Sequence, residues 1–148
     1  MKKLTIICFM MTGFITVNAQ TGKDTALETL GSLSAFSLYD AYCVIGVMAD
    51  AFSDDVYEAD YVSQIMDEQV TLLTTFNEGM DKLNSSGFIT DDADRVYIAS
   101  AKECADLLTS EAKALKSYTT DPTVANSESF QDVRTKAWAK ISALLGIE

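Results

Sequence analysis

This chain of 148 residues contains no histidine, and that absence limits the chemistry its other polar residues can do. Without an imidazole it lacks the base of serine and cysteine triads, the histidine ligands of zinc and haem, and the Glu-x-x-His pairs of di-iron bundles. The sequence also has no C-x-x-C pair, glycine-rich phosphate loop or EF-hand spacing. Most of the reactions that small helical proteins support are therefore excluded.

Carboxylates are the remaining candidates for catalysis. Two positioned Asp or Glu side chains can act as acid and base, as they do in glycosidases, and this alternative stays open. The acids of this chain, however, are spread over the polar faces of its predicted helices, and no pattern among them indicates a cleft. We therefore predict that the protein is not an enzyme and that it uses no cofactor.

One cluster of acids lies at the first predicted turn, where five carboxylates fall within 11 residues: Asp50, Asp54, Asp55, Glu58 and Asp60. Oxygen clusters bind hard cations such as calcium, and the first four of these residues are the candidate ligands. Their spacing matches no calcium loop, and Asp54, Asp55 and Glu58 lie where a helix start favours negative charge. We interpret the cluster as helix capping and predict calcium affinity that is millimolar or absent.

Cys43 and Cys104 are the two cysteines beyond the first 20 residues. An even number of cysteines in an exported chain suggests a disulfide. On a helix, however, Cys43 lies roughly 200° from its inward-facing neighbours Ala41 and Ile45 and so faces outward, whereas Cys104 faces the core. A disulfide needs α-carbons within about 7 Å, and two cysteines that face different sides of their helices are not expected to meet this condition. We therefore expect no internal bridge. Cys104 is then a small buried apolar residue.

The first 20 residues predict an export signal. Lys2 and Lys3 provide a positive start, an apolar run follows from Leu4 to Val17, and Val17-Asn18-Ala19 is similar to an A-x-A cleavage site. The apolar run has 14 residues, fewer than the roughly 20 that a spanning helix needs.

Export defines the predicted domain organisation. Cys8 follows the bulky Ile7, which argues against attachment of a lipid. We predict a signal peptide at residues 1–19, a single domain at 20–148, and a periplasmic or secreted product with no membrane insertion after cleavage.

The mature chain is strongly acidic. It carries 22 acids and 9 basic residues, a formal charge of −13, and residues 20–92 hold 14 of the acids but only two lysines. Phosphates and anionic lipid heads would repel such a chain, so we expect neither nucleic acid nor a membrane surface as partner. The simpler interpretation is that the acidity keeps an exported protein soluble. Alternatively, a cationic partner would complement the negative charge.

The positions of alanine, leucine, glutamate and lysine, with one proline and sparse glycine, predict four helices. Their predicted bounds are Thr25 to Phe52, Tyr57 to Ser85, Asp91 to Tyr118 and Ser127 to Leu145. The connections are short, which predicts antiparallel neighbours. The predicted fold is all-α, an antiparallel up-down-up-down four-helix bundle with a core that includes Leu38, Ile45, Phe76, Leu108 and Ile141.

The last three helices each carry one apolar stripe with spacings of three and four, typical of a helix that packs on one side. In the second helix the stripe contains Val62, Ile65, Met66, Leu72, Leu73, Phe76, Met80 and Leu83. In the third it contains Tyr97, Ala101, Cys104, Leu108, Leu115 and Tyr118. In the fourth it contains Phe130, Val133, Ala137, Ile141 and Leu144, with Trp138 beside it.

The first helix is apolar on two sides. Its best inward seam contains Leu27, Leu30, Leu38, Ala41, Ile45, Met48 and Phe52. A second stripe, the candidate interaction surface, contains Leu33, Phe36, Cys43, Val44 and Val47, and continues to Ala51. Either the N-terminal segment or a different helix order covers this stripe, or a homodimer or partner docks there with Phe36 and Val44 as anchors. In a homodimer Cys43 would lie where an intermolecular bridge can form.

These features predict an exported, non-enzymatic helical bundle that serves as a binding or interaction module and acts through a helical face. The alternative is an acidic periplasmic inhibitor or immunity-type protein that binds a basic enzyme. A third hypothesis is a carrier that holds a small molecule inside the bundle. Loss of partner binding at moderate ionic strength would favour the inhibitor over the apolar face.

Overall fold

The computed structural model describes the backbone from residue 2 to residue 147 and the side chains from residue 21 to residue 147. Within that range the chain forms four α-helices and no strand: α1 (Lys2–Ser53), α2 (Ala59–Ser85), α3 (Asp92–Thr120) and α4 (Val124–Leu145). The all-α prediction is confirmed. The side chains on which the export signal depends lie outside the described ones, so cleavage after Ala19 stays a prediction.

The helix bounds agree with the predicted ones to within three residues, the largest of these differences being at the start of α4, except at the start of α1. We predicted that the first helix begins at Thr25, but the helix is continuous from Lys2. No proline interrupts these residues, and Gly22 alone does not end a helix.

The chain divides into two compact units, one ending at Ser34 and the other beginning at Ala35. In the first unit, the described side chains from residue 21 onward are mostly exposed, and the hydroxyls of Thr25 and Thr29 donate to the carbonyls four residues earlier, at 3.0 and 2.8 Å. The second unit contains residues 35–53 of α1 and the other three helices. The single domain predicted over residues 20–148 stays a prediction.

The core of the second unit contains four of the five predicted core residues. Leu38, Ile45, Leu108 and Ile141 are each at most 1% exposed. Phe76 is only half-buried at the edge of this core, so its prediction as a core residue was wrong in degree.

The predicted stripes also have errors at their flanks. Leu72 was placed in the buried stripe of α2, but it is 61% exposed because the buried line runs through Val62, Met66, Leu73 and Met80. Leu30 was placed in the inward seam of α1, but it is exposed, and Leu27 is half-buried.

Polar pairs join consecutive helices of the second unit. Between α2 and α3, the Lys116 ammonium donates to Asp67 at 2.6 Å, and Asn77 Nδ2 donates to Asp106 at 2.7 Å. Lys102 also contacts Asp81. Between α3 and α4, the ammonium of Lys140 lies 2.6 Å from the carboxylate of Glu103.

Two helices of the second unit end in the same way. Asp55 after α1 has φ 55°, and the amide of Val56 donates to the carbonyl of Ala51 at 2.8 Å. Gly146 after α4 has φ 65°, and the amide of Ile147 donates to the carbonyl of Ser142 at 3.0 Å. Both are left-handed helix ends, but only one uses the glycine that this conformation favours.

Candidate functional site

The segment of α1 from Ala35 to Ser53 has one side in the core. Leu38, Ala41, Ile45 and Ala49 follow each other at spacings of three and four, and all four side chains are buried. This is the inward seam that the sequence predicted, from Leu38 onward. Met48 and Phe52 are partly buried against it, and the Phe52 ring packs edge-on against Tyr118 with centroids 5.6 Å apart.

The opposite side of the same segment is apolar and open to solvent. We define the α1 outer face as Phe36, Tyr39, Cys43 and Val47, which lie on one line because their spacings are three, four and four. Phe36 is 67% exposed and Val47 is 59% exposed, while Cys43 is half-buried. The line covers about 16 Å along the helix axis.

The structure brings together only part of the predicted stripe. Phe36, Cys43 and Val47 share the outer face. Val44, predicted as an anchor beside Phe36, is half-buried because it lies about 100° around the helix from Cys43, towards the packed side. Leu33 is exposed, but it belongs to the first unit and is therefore not included in the outer face.

Aromatic side chains from α4 border the outer face. The ring centroid of Trp138 lies 6.5 Å from that of Tyr39 and 5.4 Å from that of Tyr42. Trp138 is itself partly exposed. The surface therefore continues from α1 onto α4 through Tyr39 and Trp138.

All charges on this part of α1 are negative. Asp40 and Asp50 are exposed, and they are the only charged residues between Ala35 and Ser53. Among the described side chains, no basic group forms an ion pair with either of them. In the sequence, residues 24–81 contain 12 acids and neither lysine nor arginine.

The acidic side chains at the end of α1 are not grouped as metal ligands are. Within residues 21–147, no group of three or more His, Cys, Asp or Glu side chains is placed to hold a metal ion. Because α2 begins at Ala59, Asp54 and Asp55 lie in the turn before it, and their predicted capping role was wrong. Glu58 is the N-cap residue without a side-chain cap hydrogen bond, and Asp60 lies in the first turn.

A buried ion pair lies beneath the aromatic border. Glu111 of α3 is fully buried, and its Oε1 accepts a hydrogen bond of 2.5 Å from Arg134 Nη1 of α4. The same nitrogen lies 3.3 Å from the carbonyl oxygen of Tyr42, and the guanidinium carbon lies 4.1 Å from the Tyr42 ring centroid. Arg134 therefore links α1, α3 and α4.

Gly46 makes room for this link. A β-carbon at position 46 would overlap Nη2 of Arg134 and lie 2.9 Å from Cζ, so a larger residue would displace the guanidinium. Glu111 Oε2 is buried and has no hydrogen-bond partner. The sequence pattern did not reveal this pair, although Glu111 continues the spacing of the buried residues Cys104, Leu108 and Leu115.

Burial shifts the pKa of two side chains of α3, Glu111 and Cys104. It raises the pKa of Glu111 to about 7, although the hydrogen bond and the positive charge of Arg134 oppose the increase. Burial also raises the pKa of the Cys104 thiol, which is buried as predicted and is therefore a poor nucleophile. A hydrogen bond with Cys43 raises the pKa of Tyr39. Cys43 and Cys104 are free cysteines that form no disulfide in the structure.

No protein-family model, curated protein or solved structure matches the chain. The role of the candidate site is therefore inferred from its geometry. One further property belongs to α1: the stretch Thr21–Ser53 is long and apolar enough to cross a membrane, a test that the core helix of a soluble protein also passes.

Proposed function

We propose that the protein is an exported, non-enzymatic binding module that engages a protein partner through the α1 outer face. The observation that carries this proposal is the exposure of Phe36 and Val47, at 67% and 59%, on a helix whose other side lies in the core. Exposed apolar side chains grouped on one face mark contact sites more often than scattered ones do. The partly exposed Trp138 and Tyr39 add the aromatic types that interfaces favour.

The module we propose is an antiparallel up-down-up-down bundle. Paired residues support this because their numbers run in opposite directions along neighbouring helices. Asp67 meets Lys116 and Asp81 meets Lys102 across α2 and α3. Across α3 and α4, Glu103 meets Lys140 and Glu111 meets Arg134.

The buried groups support a non-enzymatic role. Glu111 has the pKa of a general base, but its carboxylate is fully buried and bonded to Arg134. A catalytic base needs access to the proton that it removes. The residues of the predicted signal peptide, 1–19, support export to the periplasm or beyond. Cleavage would occur before Gln20, with no membrane insertion afterwards.

An acidic inhibitor or immunity-type protein is the second candidate. The exposed acids at the turn between α1 and α2 favour it, because Asp54, Asp55, Glu58 and Asp60 have no basic partner among the described side chains. A basic enzyme would then bind at this turn, beside the exposed Val56 and Tyr57. Steered association of this kind weakens steeply as salt increases.

Site-directed photo-crosslinking in the cells that produce the protein separates these candidates. A photoreactive residue replaces Phe36 or Val47 on the outer face, Val56 at the turn between α1 and α2, or, as matched exposed apolar controls, Leu72 of α2 or Val96 of α3, at 61% and 66% exposure. We expect one partner adduct from the two outer-face positions and none from the controls. Adducts from Val56 alone would favour the inhibitor, and equal adducts from every position would contradict both candidates.

A further inference from the structure

The α1 outer face has the dimensions of a site for a single helix. Phe36, Tyr39, Cys43 and Val47 form one line about 16 Å long, equivalent to three helical turns. Exposed Trp138 borders that line through its contact with Tyr39. A helix that docks along such a line contributes apolar residues at spacings of three and four, and its remaining faces stay in water.

The charge beside this line is negative and uncompensated. Asp40 and Asp50 are exposed on the same segment, and residues 24–81 contain no basic residue. Of the seven basic side chains in α3 and α4, six are already within 4.0 Å of an acid of this chain. None of the described ion pairs involves Asp40 or Asp50, so a partner can supply the positive charge that complements them.

Other occupants fit this charge less well. A second copy of the chain would place the same acids against each other, which costs free energy in a symmetric interface. A lipid surface would have to accept Asp40 and Asp50 beside Phe36 and Val47, and buried carboxylates are costly in a bilayer. Helical segments rich in lysine or arginine have neither problem.

From these observations we infer that the α1 outer face binds a cationic amphipathic helix of a partner protein, with apolar residues on Phe36, Tyr39 and Val47 and basic residues near Asp40 and Asp50. This inference rests on the proposed function, because it names the class of partner for the same surface.

The chain contains its own reporter for this binding. Trp138 is the only tryptophan, and its ring lies 6.5 Å from that of Tyr39 on the outer face. Its fluorescence is therefore expected to change when a helix covers Tyr39. The probe is a synthetic 14-residue amphipathic helix of leucine and lysine, about 21 Å long and therefore longer than the outer face. Peptides with glutamine or glutamate in place of each lysine are the matched controls.

We expect the lysine peptide to shift Trp138 emission and to bind the full chain more tightly than the glutamine peptide, with no binding of the glutamate peptide. Asp40→Asn with Asp50→Asn should weaken binding about 2- to 30-fold. Phe36→Ser should weaken it about 30-fold or more, because Phe36 is the most exposed apolar side chain of the outer face. Glu68→Gln with Glu78→Gln changes the net charge equally on exposed positions of α2 and should have little effect.

The outcomes separate this inference from the proposed function. If the control pair Glu68→Gln with Glu78→Gln weakened binding as much as Asp40→Asn with Asp50→Asn, the inference would be overturned. That result would show that the peptide is attracted to net charge alone. Tighter binding of the glutamine peptide, abolished by Phe36→Ser, would overturn the cationic assignment but support the outer face as a docking surface. Binding to zwitterionic phosphatidylcholine vesicles, or a dimer by light scattering that Phe36→Ser disrupts, would replace the partner helix with a membrane or a second copy.

Discussion

Both sides of α1 between Ala35 and Ser53 carry apolar residues, but the two sides have opposite environments. Leu38 and Ile45 are almost completely buried, whereas Phe36 and Val47 are more than half exposed. The side that α3 and α4 cover contributes to folding, and the uncovered side is available for binding. The comparison shows that hydrophobicity alone does not identify a core residue, because the neighbouring helices decide which side is covered.

The largest expected effect comes from truncating a residue on the buried side of α1, compared with a truncation on its exposed side. Ile45→Ala should lower the free energy of unfolding by about 2 to 5 kcal/mol, because it leaves a cavity in a packed core. Val47→Ala should change it by no more than about 0.5 kcal/mol, because the side chain already contacts water. Urea unfolding followed by circular dichroism measures both. Equal losses would show that the outer face is covered within the monomer.

The buried pair behind α1 predicts a pH dependence. The pKa of Glu111 rises from its ordinary 4.5 to about 7 in the fold, so the folded state holds a proton that the unfolded chain releases. This contribution to stability is complete below pH 4.5 and is lost as the pH rises to about 7. The loss is at most about 3 kcal/mol. Urea unfolding at a series of pH values measures it.

Glu111→Gln is the control for this pH dependence, because the amide keeps the shape of the side chain without titrating. The decrease in stability between pH 4.5 and 7 should become smaller in this variant. Asp40→Asn changes an exposed carboxylate and should leave the decrease unchanged. An unchanged profile in Glu111→Gln would show that the pair is not buried as described.

Gly46 tests how closely Arg134 approaches α1. Gly46→Ala should lower stability by about 1 to 2 kcal/mol, since displacing the guanidinium costs more than the helix propensity of alanine returns. Gly79→Ala in α2 is the matched control, because a β-carbon there meets nothing within 4 Å and should raise stability by up to about 1 kcal/mol. Thermal unfolding of both variants gives the comparison, and a gain in both would contradict the close approach of Arg134.

The turn that ends α1 should give the smallest change. Asp55 has φ 55°, a conformation that glycine adopts at less cost, as Gly146 does after α4. Asp55→Gly should therefore raise the free energy of unfolding by up to about 1 kcal/mol, measured by thermal unfolding. A clear loss would mean that the Asp55 side chain makes a stabilising contact.

Much of the fold was predictable because helix periodicity is local. The spacing of Leu38, Ile45, Leu108 and Ile141 was sufficient to place them in the core. Phe76 was harder to place because it lies at the edge of its stripe. Burial at such a position depends on how far the neighbouring helices extend over it.

The candidate site was only partly predictable. Phe36 and Val47 followed from the second apolar stripe, but the half-buried position of Val44 depends on the helices that surround α1. The contact between Glu111 and Arg134 joins residues of two helices, and Gly46 accommodates it from a third. A charged residue on an apolar seam was its only signal in the sequence.

The most direct test of the outer face as a docking surface is the rate of thiol alkylation in the native cell fraction. In a Cys43→Ala background, Val47→Cys reports on the outer face and Leu72→Cys reports on an equally exposed position of α2. We predict that the thiol at position 47 reacts more slowly in the cell fraction than in the purified protein, while the thiol at position 72 reacts equally in both. Equal rates at position 47 in the two preparations would contradict the account.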